Sequence, residues 1–256
     1  IVEAQRLAYA DRERYLADPD FVDVPVAGLL APDYLAARAQ LVSTERTMPT
    51  VAPGNPAGVK VALADGPKQV ENGTSHFAVI DRNGMAATLT STIESAFGSG
   101  LMVNGYFLNN ELTDLSIVPE VNGKPVANRV EGGKRPRSSM APTIVYGPDG
   151  KVKLAVGAAG GVTIPAQVLK AIIAVLDWNL PVDQALALPV IFAPGGNTVF
   201  VEGGTDHEKL IPVLNSLGHQ DVRLRERSFK ANAVEVRDGK LVGAADPRSE
   251  GEAAQQ

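Results

Sequence analysis

Apolar residues recur along this chain with two different periods, and the places where the period changes divide it into elements. The opening stretch, IVEAQRLAYADRERYL, is amphipathic at helical spacing. It predicts a helix within residues 1–20 that stops near ADPD, where Pro19 cannot continue it. A second, short helix is predicted after Pro32, in DYLAARAQLV. From about Thr47 to Gly73 no period is sustained, and Pro, Gly, Asn and Ala dominate, so this segment reads as an exposed connector open to cleavage. Beyond it the period drops to two. HFAVI and AATLTST flank an Asn83-Gly84 turn, and APTIVY and KVKLAVG flank GPDG, each predicting a hairpin. Helical spacing returns in IPAQVLKAIIAVLDW, with Pro165 in its first turn, and in PVDQALALP between two prolines. TDHEKLIPVLNSLG predicts a further helix, opened by a Thr205-x-x-Glu208 capping box and stopped by Gly218. NAVEVR and KLVGAAD, joined at Asp238-Gly239, predict a third hairpin. Hairpins with segregated helices predict an α+β fold, its helices layered on antiparallel sheets. No internal repeat is visible, and the tail EGEAAQQ is the one low-complexity segment.

Composition narrows the chemistry. With 256 residues, 45% of them hydrophobic, the chain is long enough for one large domain or two small ones. A net charge of −5 argues against nucleic acid as a partner, since phosphate binding needs clustered cations. No apolar run reaches the roughly 18 residues that would span a bilayer. The absence of an initial Met, with entry straight into a helix, reads as a start partway into a longer protein, so a missing signal segment carries no weight. Cysteine is absent, which excludes disulfides, thiolate metal sites and a cysteine nucleophile. His76, His207 and His219 do not pair at zinc-binding spacing, and no G-x-S-x-G elbow is present. No cofactor or metal is called for. Acyl chemistry in this chain would need a base other than histidine.

Four polar clusters stand out, and each also has a bland reading. Thr74-Ser75-His76 precedes Thr88, Thr90 and Thr92, which alternation puts on one strand face. Threonines on a strand are commonly just a β-favouring surface. In NNELTDLS, Glu111 and Asp114 lie three apart beside two asparagines, as in many turns that satisfy their own backbone; two carboxylates there would also suit an ammonium group. KRPRSSMAP places Ser138 and Ser139 after three cationic residues, either a solvated charge cluster or a carboxylate cradle in a positive field. GAAGGVTIPAQ is a glycine-rich turn between a strand and a helix, able to present backbone N–H groups to an oxyanion but matching no phosphate-loop pattern. Taken together, the clusters describe acyl transfer from an amino acid. A hydroxyl nucleophile stands at a cleavable junction, and a threonine made N-terminal by cleavage carries its own base, the freed α-amine.

The stretches TSHFAVIDRNGMAATLTSTIESAFGSG, LNNELTD, KRPRSSMAPTIV and GAAGG, in this order and spacing, resemble the γ-glutamyltransferase family, as do AYADRERYLADPDF and GAADPRSEG. The resemblance covers nearly the whole chain. It implies the N-terminal-nucleophile hydrolase fold, a four-layer αββα sandwich, here partial because much of the large subunit is absent. It also implies a precursor that cuts itself at the bond matching Gly73-Thr74. Residues 1–73 would then be the tail of the large subunit and 74–256 the small catalytic subunit. By the same resemblance Thr74 is the nucleophile, Thr92 its hydrogen-bonding partner, and Thr90 a residue of the same strand beside the substrate. Glu111 and Asp114 hold the substrate α-ammonium, Ser138 and Ser139 its α-carboxylate, and Gly160 and Gly161 supply the oxyanion hole. The implied reaction takes the γ-glutamyl group from glutathione or a related donor and passes it to an amino acid, a peptide or water. Partners would be the remainder of the large subunit, and the location periplasmic or extracellular.

Several positions depart from the family pattern. Ser75 replaces a common threonine, Glu94 stands where many members carry an asparagine near the ammonium, and Ala158-Ala159 replace a frequent Ser-Pro. Residues 115–133 lack an aromatic lid residue, which favours a more open site and longer donors. The family's substrate-binding arginine cannot be identified in this chain. Two other readings stay open: a same-fold acylase or poly-γ-glutamate processing enzyme, and an uncut, non-catalytic segment.

Overall fold

The computed structural model describes residues 1–66, 73–226 and 228–255; the end of the predicted connector, residues 67–72, lies outside them. In chain order the elements are helices α1 (Val2–Tyr15), α2 (Val26–Leu29) and α3 (Pro32–Ala39), then strands β1 (Ser75–Ile80) and β2 (Ala86–Ser91). Two small hairpins follow, β3 (Met102–Val103) with β4 (Tyr106–Phe107) and β5 (Glu120–Val121) with β6 (Lys124–Pro125), separated by a 3₁₀ turn at Glu111–Asp114. After β7 (Thr143–Tyr146) and β8 (Val152–Ala159) come α4 (Ile164–Leu176) and α5 (Val182–Ala187). The chain closes with β9 (Ile191–Phe192), β10 (Thr198–Glu202), α6 (Ile211–Ser216), β11 (Asp221–Arg225), β12 (Lys230–Arg237) and β13 (Lys240–Ala245). These elements form two compact units, one of residues 1–70, 111–138 and 191–225, the other of residues 71–110, 139–190 and 226–256.

The second unit is layered. Its sheet runs β13-β12-β8-β7, antiparallel throughout. Leu154, Val156 and Ala158 of β8 face Ile164, Val168, Ala171 and Val175 of α4, whose spacing of three and four residues makes one apolar stripe. Val182, Ala185 and Leu186 of α5 complete that core. The opposite face of β8 carries Ala155, Gly157 and Ala159, small enough for the antiparallel β1-β2 hairpin to pack there as a second sheet. Helices, sheet and second sheet make the layered α+β arrangement of this unit. The outer face of the hairpin, with Phe77, Val79 and Leu89, is exposed. The DPR stretch serves the core: Arg248 pairs with buried Asp246 at 2.6 Å, donates to the carbonyls of Leu186 (2.6 Å) and Leu188 (3.2 Å) at the end of α5, and lies over the Phe229 ring.

In the first unit the predicted α+β pattern needs two corrections. The three-stranded sheet β11-β10-β9 is mixed, because β10 and β11 pair parallel. TVFVE and DVRLR are five residues each, and the chain between them crosses over as a βαβ-type connection. That connection is not one helix either. A 3₁₀ turn at Asp206–Leu210 gives way to α6 because Pro212, at the start of α6, has no N–H to continue an α-helical ladder from the turn. The capping box is displaced too: Thr205 Oγ1 accepts from the His207 N–H, and Glu208 accepts from Gly204 rather than from Thr205.

The predicted connector is largely exposed, yet tethered at three points. Buried Arg6 donates to Thr47 Oγ1 at 2.5 Å and to the Met48 carbonyl, while Glu3 accepts from the Met48 N–H at 2.7 Å. Gly54 is held by Asp11 (2.7 Å) and Tyr15 (2.6 Å), and Ala64 bridges to Val126. No helix among the described residues is long and apolar enough to cross a membrane.

Candidate active site

The β1-β2 hairpin is set by its turn. Asp81 Oδ1 accepts from the N–H groups of Asn83 (2.8 Å) and Met85 (2.9 Å), and Gly84 takes a positive φ of 84°. This fixes the register, so Ser75 pairs with Ser91 and His76 with Thr90. One step further out, Thr74 and Thr92 face each other beyond the paired residues. Thr74 Oγ1 donates to the Gly73 carbonyl at 2.7 Å, and Thr92 Oγ1 donates to the same oxygen in a very short bond. The carbonyl of the Gly73-Thr74 bond therefore accepts two hydroxyl protons, which polarise it toward attack.

Thr92 is itself held. Its Oγ1 accepts from the Glu94 N–H at 2.8 Å. Glu94 is buried, with a left-handed φ of 70°, and its Oε2 accepts from Ser95 Oγ (2.7 Å) and Asn110 Nδ2 (2.8 Å). Asn110 also accepts from the Ser95 N–H at 3.0 Å. Asn110 is thus part of the site's framework; the sequence placed an amide beside the two carboxylates as a possible ammonium ligand, but did not single out Asn110 or its bond to Glu94.

Thr88 and Thr90 turn inward, as alternation requires, and their partner is His76. Thr90 Oγ1 lies 2.8 Å from His76 Nδ1, and Thr88 Oγ1 lies 3.3 Å from Nε2. Thr90 is buried, so the structure engages it with His76 rather than with Thr74. The His76 ring sits on Gly157, where any Cβ would collide with it. Burial pushes the His76 pKa down, with a hydrogen bond to the Leu89 backbone acting the other way, so the ring is neutral at pH 7. Because the cation is disfavoured in the folded state, this contribution is intact above the unfolded value of about 6.5 and is lost as pH falls below it. The melting temperature should therefore drop on acidification, and His76→Gln should flatten that drop. Buried His219, also pushed down, acts in the same direction and leaves a residual slope. Parallel curves for the two proteins would refute the assignment.

The glycine-rich turn follows β8. Gly160 (φ 125°) and Gly161 (φ 57°) adopt backbone conformations that L side chains resist. Two buried side chains brace it. Thr163 Oγ1 donates to the Gly160 carbonyl at 2.8 Å, and Gln167 Nε2 donates to the Ala159 carbonyl at 2.9 Å. Gln167 also accepts from the Lys230 N–H at 3.0 Å. Neither brace was singled out from sequence, although both stand in the quoted GAAGGVTIPAQ. The turn begins three residues beyond Gly157, and Thr74 lies two residues before His76, so both run from one shared contact.

In the first unit, the 3₁₀ turn Glu111–Asp114 puts these two carboxylates one above the other, the i and i+3 positions eclipsing. Asp114 is buried, and Asn128 Nδ2 donates to its carbonyl at 2.7 Å. Ser138 is exposed and Ser139 buried. The cations before them do not create the open positive field that the sequence allowed. Lys134 donates to the Ala127 carbonyl at 2.6 Å, Arg135 binds Asp18 in two bonds of 2.9 and 2.7 Å, and Arg137 binds Glu13. The Arg135 guanidinium holds the Asp18 carboxyl well below the usual range. These residues clamp the segment before Ser138 to α1 and to the stretch following it. Among the described residues no cluster of His, Cys, Asp or Glu could hold a metal ion.

The model of one protein family, described as gamma-glutamyltranspeptidase, matches residues 1–256. The chain belongs to the gamma-glutamyltranspeptidase family. Glutathione hydrolase proenzyme of Bacillus subtilis strain 168 is 38% identical over 228 residues, covering 86% of this chain and 38% of that protein. The Escherichia coli K12 glutathione hydrolase proenzyme is 36% identical over 262 residues, covering 97% of this chain and 43% of its own length. The chain thus spans about two fifths of the length of these gamma-glutamyltranspeptidase relatives. Gamma-glutamyltranspeptidase from Pseudomonas nitroreducens, solved in complex with L-DON, superposes with a TM-score of 0.61 at 31% identity, covering 71% of this chain and 98% of the solved one. Cephalosporin acylase from Bacillus halodurans matches with a TM-score of 0.78 over 99% of this chain at 23% identity, a likeness of fold.

Proposed function

We propose that this chain is the catalytic part of a γ-glutamyl acyltransferase and hydrolase, assembled from a precursor cut at Gly73-Thr74. The observation that carries the reading is the pair of hydroxyls, Thr74 and Thr92, converging on the Gly73 carbonyl. In the cut, a Thr74 Oγ–C bond to Gly73 forms while the C–N bond breaks, and the hydroxyl proton passes to the Thr74 nitrogen. Water then hydrolyses the ester, leaving a Gly73 carboxylate, a Thr74 hydroxyl and a free α-amine. That amine is the base the histidines do not supply, and Thr74 attacks the γ-carbonyl of the donor with its help. Thr92 orients Thr74, the N–H groups of Gly160 and Gly161 receive the oxyanion, and Thr90 supports the strand through His76. Glu94, Glu111 and Asp114 take the donor α-ammonium, and Ser138 and Ser139 its α-carboxylate. Glutathione-type donors supply the acyl group, and an amino acid, peptide or water accepts it. Residues 1–73 form the tail of the large subunit and 74–256 the small one; the remainder of the large subunit completes the enzyme, in a periplasmic or extracellular location.

Support comes from the relatives, which are named as proenzymes, and from the solved Pseudomonas nitroreducens chain, whose match covers 71% of this chain, the size of residues 74–256. The retained Glu111 and Asp114 favour a donor with a free α-ammonium over the simple acyl side chain of a same-fold acylase. The test is to incubate the full-length protein with a γ-glutamyl anilide, quench early and digest. A γ-glutamyl adduct of 129 Da, the mass of one glutamyl residue by composition (about 129 Da, glutamic acid less water), is expected on the peptide beginning at Thr74. An adduct elsewhere, or turnover of glutaryl but not γ-glutamyl anilides, would reject the reading.

A further inference from the structure

We infer that Gly73 is a specificity-determining residue for self-cleavage, because the left-handed turn at Glu94 leaves space at the scissile position for glycine alone. The inference rests on the cleavage reading above. Two observations carry it. Gly73 has a φ of 42°, and a Cβ added there would fall on the Glu94 carbonyl oxygen, well inside van der Waals contact. The obstacle is backbone, so it cannot swing aside as a side chain would.

The Glu94 carbonyl is also fixed in place. A left-handed φ of 70° is unfavourable for a residue with a side chain, so the conformation persists because its surroundings impose it. Its N–H is tied to Thr92 Oγ1 at 2.8 Å, and its carboxylate to Ser95 and Asn110 at 2.7 and 2.8 Å. The Asn110 N–H returns to the Ile93 carbonyl at 3.3 Å, closing the turn from the other side. Thr92 Oγ1 is the shared element: it accepts from Glu94 and donates to Gly73. A Cβ at residue 73 must therefore either push the scissile carbonyl away from Thr92 or drive Glu94 out of its turn. With Glu94 held as it is, the first outcome prevails: the carbonyl carbon leaves the position beside Thr74 Oγ1, and the Oγ–C bond that opens the cleavage forms slowly. Once the bond is cut, Gly73 is a chain end and this restriction no longer bears on turnover.

The experiment compares full-length precursors carrying Gly73→Ala, Gly73→Asn and Gly73→Ala with Glu94→Gly, following conversion to two pieces by intact mass. Gly73→Ala should convert at least about 100-fold more slowly than the natural sequence, the penalty for an ångström-scale misplacement. Asparagine tolerates positive φ better than alanine, so Gly73→Asn separates strain from collision. It is expected to be as slow as Gly73→Ala. Glycine at 94 frees the turn to move, and the double variant should recover about tenfold; a misfolded Gly73→Ala protein would gain nothing from it. Conversion of Gly73→Ala or Gly73→Asn within threefold of the natural rate, or no recovery in the double variant, overturns the inference. A natural precursor that is never cut after residue 73 overturns the cleavage reading itself, and the inference with it.

Discussion

Replacing Thr74 by alanine in the full-length protein is expected to leave the precursor as one polypeptide and to abolish γ-glutamyl anilide turnover. Both losses have one cause, since the same hydroxyl is read as nucleophile in the cut and in the acyl transfer. Removal of a nucleophile costs at least about a thousandfold in rate, because what remains is positioning and oxyanion binding without covalent chemistry. Fold should survive: Thr74 precedes β1 and is only half-buried, so the melting temperature should move little. Thr74→Ser keeps a hydroxyl and should retain slow cleavage and slow turnover together. Full turnover by Thr74→Ala would remove Thr74 from the mechanism. Cleavage without turnover would separate two roles that the geometry joins.

The second large effect is one of stability. Glu13 accepts from Arg12 at 3.0 Å and from Arg137 in a very short bond, and the side chains of both arginines are more than nine-tenths shielded. Arg137 also reaches the main-chain carbonyls of Arg12 and Glu13 at 3.4 and 3.5 Å. Glu13→Ala would take away a carboxylate that two guanidinium groups bond in a poorly solvated site. The expected cost is about 3 kcal/mol, near the lower end for breaking a buried pair, since Glu13 keeps some exposure. Denaturant melts of Glu13→Ala, Arg137→Met and the double variant measure it. The double variant should be more stable than Glu13→Ala, because a guanidinium that lost this carboxylate is removed with it. Additive losses would show the pair to be uncoupled. The arrangement also bears on assembly, for Glu13 and Arg137 fall on opposite sides of the proposed cut. The same holds for Asp18 and Arg135, so these bonds would hold the two pieces together after it.

Much of the second unit was legible from local chemistry. The Arg82-Asn83-Gly84 and Asp238-Gly239 turns each sit between alternating runs, and so short a turn fixes its own register. IPAQVLKAIIAVL declares α4 because its apolar stripe and its early proline agree. In the first unit the parallel β10-β11 pair escaped, because nothing within a five-residue strand names a partner more than fifteen residues away. Pro212 did signal the broken helix, but the capping box beside it was the louder cue.

The site divides in the same way. Thr74, Thr92, Glu111, Asp114 and the Gly160-Gly161 turn could be picked out by residue type and order, since hydroxyl, carboxylate and paired glycines advertise their chemistry. The sequence on its own thus determined the family, the layering of helices on hairpins and the candidate nucleophile at a junction, all of them consequences of near neighbours in the chain. Only the tertiary structure decided that the KRPR cations are spent on the Ala127 carbonyl, Asp18 and Glu13, that Thr90 serves His76, and that Glu94 takes a left-handed turn against Gly73. Each depends on which distant group arrives opposite a side chain, and packing settles that question, whereas local propensity leaves it open.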